Sequence, residues 1–249
     1  MTPPKTAPYG SWKSPITSDM IVAGAVKLQE IALDGKDIYW LERRPQEAGR
    51  NVIVKYTAKG DMIDVTPQPF NVRTRVHEYG GAAFLVHESQ IYFSNYEDQR
   101  IYRHTPDSDP EPITSEGPFW YADGVIDVAR NRLICVREDH SQSERDAINT
   151  IVGIKLDQSH AGDVLESGND FYSNPRVSPD GSKLAWLTWN HPNMPWDGTE
   201  LWVAHIQLDG SLKKPQKIAG GTDESIFQPE WSPDGILYFV SDRTGWWNL

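Results

Sequence analysis

The stretches "NPRVSPDGSKLAWLTWN" at 174–190 and "QPEWSPDGILYFVSDR" at 228–243 are two copies of one device. Each runs Pro, two residues, Ser-Pro-Asp-Gly, and then an aromatic-rich apolar segment. The chemistry of the tetrapeptide is that of a tight turn. Ser178 and Ser232 can accept a backbone hydrogen bond at its first position. Pro179 and Pro233 preset φ at the second, and Gly181 and Gly235 tolerate positive φ at the exit. Each copy therefore predicts a strand, a turn and a second strand. The two turns lie 54 residues apart.

Weaker copies lie upstream. The apolar run recurs from Tyr39, Tyr92, Ile134, Ala185 and Tyr238, at intervals of 53, 42, 51 and 53 residues. A third apolar segment follows most copies, as in "NTIVGIKLD" and "ELWVAHIQLDG", and a short fourth follows that, as in "MIDVTP" and "DVLES". Four strands in a repeat of ~40–50 residues is the signature of a β-propeller blade. The run "KLAWLTW" is apolar on both of its faces, as a strand covered by sheets on two sides should be. A β-sandwich with long hairpins is the competing architecture, but it leaves the period without an explanation. The expected fold is all-β: an incomplete propeller of about four and a half four-stranded blades. After an N-terminal extension at 1–23, the partial propeller occupies 24–249. Its blades fall at about 24–68, 69–115, 119–168 and 171–221, with half a blade at 224–249. Trp246, Trp247 and Asn248 are expected to begin a third strand there. A ring interrupted inside a blade reads as a fragment of something longer, and its bare strand edges favour self-association.

Composition agrees with such a fold. The chain has 249 residues, with 38% hydrophobic and 11% aromatic residues, and its Gly and Pro are spread along the chain. A formal net charge of −11 without a basic patch argues against nucleic acid as a partner. The single cysteine, Cys135, excludes an internal disulfide and reads as a buried strand residue. The N-terminus lacks the basic and apolar regions of a signal peptide, and no apolar run reaches the ~20 residues of a membrane span. A cytoplasmic protein without a membrane partner is the expectation. The histidines show no metal-ligand spacing, so neither metal nor cofactor is expected.

Four stretches carry more than the repeat: "YGSWKSPIT" at 9–17, "RVHEYGGAAF" at 75–84, "LTWNHPNMPWDGTELWV" at 187–203 and "SPDGILYFVSDRTGWWNL" at 232–249. Together they resemble the propeller half of prolyl-oligopeptidase-like serine peptidases, in the acylaminoacyl-peptidase and dipeptidyl-aminopeptidase-like branch. The resemblance spans nearly the whole chain. It implies seven blades and a following α/β-hydrolase domain whose nucleophilic Ser sits in a Gly-x-Ser-x-Gly elbow. No such elbow occurs here, so no catalytic residue is assigned and the chain alone is expected to be inactive. The implied partners are that C-terminal hydrolase domain, in cis or as a separate chain, and a short peptide substrate.

Propeller topology sharpens the expectation. With strands A to D running outward, the D–A connectors and B–C loops share one face, and an appended domain would sit over it. His77, Glu78 and Tyr79 fall in such a connector, as do Phe119-Trp120-Tyr121 and Phe171-Tyr172. The loop from His191 through Trp196 to Asp197 is a B–C loop. One reading makes His77, Glu78, Tyr79, His191, Trp196 and Asp197 the lining of a substrate cavity, with a carboxylate to pair with a peptide amino terminus. The other is structural: Gly80 and Gly81 permit a sharp turn and Glu78 satisfies backbone donors. The polar segment "REDHSQSERD" at 137–146 reads as a solvated loop. Three functions stay open: a substrate-gating propeller of a serine peptidase acting on short peptides or aminoacyl amides, a stand-alone propeller scaffold for another protein, and a truncated relic.

Overall fold

The computed structural model describes residues 6–143 and 146–249. After a one-turn helix α1 (Ser18–Val22), capped by the Thr17 hydroxyl on Met20 N, the described chain is built of antiparallel sheets. The first sheet is β1 (Lys27–Asp34), β2 (Asp37–Arg44), β3 (Arg50–Tyr56) and β4 (Met62–Asp64). The second is β5 (Phe84–His87), β6 (Gln90–Ser94), β7 (Ile101–His104) and β8 (Glu111–Pro112). The third is β9 (Phe119–Asp127), β10 (Arg132–Asp139), β11 (Ile148–Lys155) and β12 (Asp163–Glu166). The fourth is β13 (Phe171–Val177), β14 (Lys183–Trp189), β15 (Glu200–Ile206) and β16 (Leu212–Gly220). A fifth sheet pairs β17 (Ile226–Trp231) with β18 (Leu237–Ser241). Every sheet is a meander with strands in sequence order, and the first strands of successive sheets are neighbours. That is the geometry of propeller blades around an axis, four of them four-stranded and a fifth represented by two strands.

The repeated turns form as their residues dictate. In the β13–β14 turn Gly181 N donates to Ser178 O at 2.8 Å, and Lys183 N donates to the Ser178 hydroxyl at 2.9 Å. In the β17–β18 turn Gly235 N donates to Ser232 O at 2.9 Å, and Ile236 N to the Ser232 hydroxyl at 3.0 Å. Gly181 has φ +68°, a conformation that costs a side-chain-bearing residue energy.

Burial follows position in the wheel. Four apolar cores alternate with five sheets. Tyr39, Leu41 and Phe93 fill the first gap, and Tyr92, Tyr121 and Leu133 the second. Ile134, Tyr172 and Trp186 fill the third, and Leu187, Leu201 and Ile226 the fourth. The second strands β6, β10 and β14, each covered on both faces, are buried almost throughout, and Cys135 is among their buried residues. Strand β2, covered on one face, alternates, and Leu28, Ile31 and Leu33 of β1 are exposed.

Two expectations need correction. No third strand follows β18: within 246–248, Asn248 makes an isolated bridge to Ser241, while Trp246 is 80% exposed. The turn closed by Gly245 N on Asp242 O at 2.7 Å leaves only Asn248 in register with Ser241. Phe119-Trp120-Tyr121 and Phe171-Tyr172 also belong to β9 and β13 rather than to connectors. Phe119 and Trp120 pair with Asp139 and Glu138, and Phe171 with Trp189, so the inner strands run out to the rim of the wheel.

Candidate functional site

The connectors after β4 and β12 and the loops after β10 and β14 converge on one face around a cleft of about 710 Å³. The first connector is held as firmly as a strand. Val72 and Val76 are fully buried, Tyr96 N donates to Asn71 O at 2.8 Å, and Arg73 N donates to Ser94 O at 3.0 Å. The chain then reverses. His77 and Glu78 take φ +57° and +62°, Gly80 takes φ +93°, and Gly80 N donates to Val76 O at 2.8 Å. Left-handed backbone at two successive side-chain-bearing residues is costly and persists only where the surroundings over-determine it. Here they do: His77 N donates to Glu138 Oε1 at 2.7 Å, and Ala82 N to Asp123 Oδ1 at 2.7 Å. A Cβ on Gly81 would stand 2.9 Å from that same Asp123 oxygen, so the Gly-Gly pair does have the structural role expected of it.

The reversal sets the His77 ring into an aromatic wall. Its centroid lies 5.6 Å from Tyr79, 5.1 Å from Trp189 and 5.8 Å from Phe171. Phe171 and Trp189 stack at 5.3 Å with planes 18° apart, and His191 packs on Phe171 at 4.9 Å. Across the cleft the Trp120 and His140 centroids are 3.9 Å apart. Such rings present flat, weakly polar surface to a ligand at little entropic cost.

Charge is arranged around this wall. Burial pushes the His77 imidazole below its ordinary range, and its Nε2 is buried without a partner. Burial raises the Glu138 carboxyl, an effect partly offset by the bonds it accepts from His77 N and His140, the latter at 3.2 Å. Asp170 Oδ2 accepts from His191 N at 2.8 Å and lies 3.0 Å from His191 Nδ1; the backbone bond is the main reason its carboxyl is lowered. Glu78, Asp146 and Asp170 thus rim an aromatic cavity with carboxylates. Its described lining contains no serine, threonine or cysteine, so it offers no hydroxyl or thiol nucleophile except a phenol.

Of the expected site residues the structure brings together His77, Glu78, Tyr79 and His191. Trp196 and Asp197 lie outside the lining. Trp196 is 60% exposed, and Asp197 turns back to accept from Met194 N at 2.9 Å, closing its own loop. Reasoning from sequence missed Glu138 and His140, assigned to a solvated loop. Arg137, Glu138 and Asp139 belong to β10, and Glu138 is only 4% exposed. The signal was the apolar run from Leu133 to Val136, which a strand continues without a break.

Fold and cleft together define a β-propeller with a ligand-sized opening on its connector face. Comparison with solved structures gives its relatives. The chain aligns over 98% of its length with puromycin hydrolase, at 36% identity and a TM-score of 0.86. It aligns equally with a puromycin-hydrolyzing peptidase of Mycobacterium tuberculosis, at 37% identity and 0.84. It spans 40% of the length of each. The chain is homologous to the propeller part of these puromycin-hydrolysing peptidases. An oligogalacturonate lyase of Vibrio parahaemolyticus, at 14% identity and 0.59, shares the fold alone. No family model matches the sequence, and no curated protein does.

Proposed function

We propose that this propeller admits and orients short peptides or aminoacyl amides for a serine peptidase whose nucleophile is supplied by an α/β-hydrolase partner, in cis or as a separate chain. The observation that carries this reading is the cleft: a stacked aromatic wall of Phe171 and Trp189 in one lining with the carboxylates Glu78, Asp146 and Asp170. A substrate with a free amine and an aromatic side chain matches both features. The ammonium pairs with a carboxylate, most directly Glu78, and the side chain stacks on the rings. The relatives' hydrolysis of puromycin, an aminoacyl amide with such groups, supports the same class.

The test is calorimetric titration of the 249-residue chain with puromycin and with its N-acetyl derivative. Saturable binding of puromycin, weakened about tenfold or more by acetylation and to a similar degree by Glu78→Gln, is expected. Binding that is indifferent to both changes, or no binding at all, overturns the proposal. Release of the amine product by this chain alone overturns its division of labour.

A further inference from the structure

The chemistry of the cleft is lopsided. Its described lining holds four carboxylates, Glu78, Glu138, Asp146 and Asp170, and neither a lysine nor an arginine. Two further acceptors in that lining are buried with nothing to receive: His77 Nε2 and Asn149 Oδ1 have no hydrogen-bond partner. Asn149 is only 5% exposed. Leaving such an acceptor unpaired costs free energy that a ligand donating to it recovers.

The place of Asn149 follows from strand register. Trp120 of β9 stands opposite Glu138 of β10, and Glu138 stands opposite Asn149 of β11. Residues directly opposite on antiparallel strands project from the same face of a sheet. Ring, carboxylate and amide therefore form one row, and all three line the cleft. The Asn149 amide is oriented by its Nδ2, which donates to Ala147 O at 3.5 Å and leaves Oδ1 as the idle end. Glu138 is fixed in the row by His77 N, which donates to Oε1 at 2.7 Å, and by His140 Nε2, 3.2 Å from Oε2. Asp146, an exposed residue at the start of the same strand's approach, lines the cleft beside them. Burial is the first cause that raises the Glu138 carboxyl, and the charge of nearby Glu78 adds to it. Carboxylates crowded in this way are relieved by a cation.

A guanidinium suits this row better than an ammonium does. Its N–H donors form a fixed fork, so one group can serve a carboxylate and the idle Asn149 oxygen together. It is also the more weakly hydrated cation, and so enters an aromatic-lined cleft at lower cost.

We infer that Glu138, Asp146 and Asn149 form a subsite for the guanidinium of an arginine side chain, so that the preferred substrate is a short peptide or aminoacyl amide with a second positive charge besides its amine. The inference rests on the proposed peptide reading and deepens it. Glu78 takes the ammonium, the row beside it takes the basic side chain, and Phe171 and Trp189 take an aromatic one.

The test titrates Arg-Phe amide, Lys-Phe amide and Cit-Phe amide (Cit, citrulline) calorimetrically into the 249-residue chain. Citrulline keeps the length and planar end of arginine and removes its charge. All three peptides keep the amine and the aromatic side chain, so binding at Glu78 and at Phe171 and Trp189 cancels from the comparison. Arg-Phe amide is expected to bind about tenfold more tightly than Cit-Phe amide, the size of a charge-assisted contact. Asp146→Asn, at an exposed position, and Asn149→Leu, which removes the idle acceptor, are each expected to bring that ratio down to about threefold or less. Equal binding of the Arg and Cit amides to the unaltered chain overturns the inference, and so does a ratio that persists in both variants. Lys-Phe amide binding as tightly as Arg-Phe amide overturns the assignment to a guanidinium. Puromycin separates the two readings, since it has an amine and an aromatic side chain but no guanidinium. If it binds with amine dependence while the Arg and Cit amides stay equal, the subsite fails and the peptide cleft stands.

Discussion

The two faces of the wheel use the same residue types to opposite ends. On the face of the A–B and C–D turns, Asp127 has a fully buried side chain and holds two arginines. Arg130 Nη1 reaches its oxygens at 3.0 and 3.2 Å, and Arg132 Nε at 2.9 Å. The remaining donors go to carbonyls of the next sheet's turns: Arg130 to Gly181 O and Gln207 O, and Arg132 to Gly210 O. These three charges are spent on joining the third sheet to the fourth. On the connector face the cleft's carboxylates have no lysine or arginine in the described lining, and His77 Nε2 and Asn149 Oδ1 have no partner. Where charge is matched internally it serves cohesion, and where it is left unmatched beside a cavity it is available to a ligand.

The comparison breaks most readily at Asp127. Asp127→Asn keeps the shape but leaves two guanidinium groups facing a neutral amide. A broken buried ion pair costs about 3–5 kcal/mol. In a chain of this size each kcal/mol corresponds to roughly 2–4 °C, so the melting temperature is expected to fall by about 10 °C. Puromycin affinity below the transition is expected to stay unchanged. A variant that melts like the parent would show that this clamp is not what joins the blades.

The cohesive half of this comparison was legible in the sequence, and the ligand-facing half only partly. The Ser-Pro-Asp-Gly turns are local: four residues fix their own geometry, so the blades could be read from spacing. The connector 75–84 was legible because a doubled glycine after His-Glu-Tyr demands a reversal. Glu138 was not, because its burial comes from cross-strand pairing with Trp120 and from His77 N, 61 residues away in sequence. Nothing in "REDHSQSERD" announces that. Asp197 failed in the other direction. Its carboxylate satisfies its own loop, and a loop's position on the correct face does not decide where each side chain turns.

The next effect in size lies where the inner strands meet. Glu30 Oε2 accepts from Ala83 N at 2.9 Å, while Asp123 Oδ1 accepts from the adjacent Ala82 N. Burial first, and then the nearby Asp123 charge, push the Glu30 carboxyl from 4.5 to about 7. The folded state therefore binds a proton that the unfolded chain releases. This stabilisation is complete below pH 4.5, and it is lost as pH rises through 7. Chemical denaturation at a series of pH values is expected to show a decline of about 3 kcal/mol across that window. Glu30→Gln, which keeps an acceptor for Ala83 N, is expected to flatten it. An unchanged slope in the variant would place the titration elsewhere.

Asp170 gives the smallest effect and the opposite sign. Its carboxyl is lowered from 3.8, chiefly by His191 N, so the stability it adds is present above that value and lost as pH falls through the lowered one. Its side chain is 48% exposed and that of His191 74%, so water screens the pair heavily. Exposed pairs contribute about 0.2–1 kcal/mol, and Asp170→Asn is expected to lower stability at pH 7 by no more than that. The cleft should feel the change more than the fold does, because His191 packs on Phe171 and is held there from Asp170. A loss of puromycin affinity of about threefold or more, with the melting temperature nearly unmoved, is expected from parallel calorimetry and thermal melts. The reverse pattern, a cooler melt with intact affinity, would assign this part of the connector face to cohesion as well.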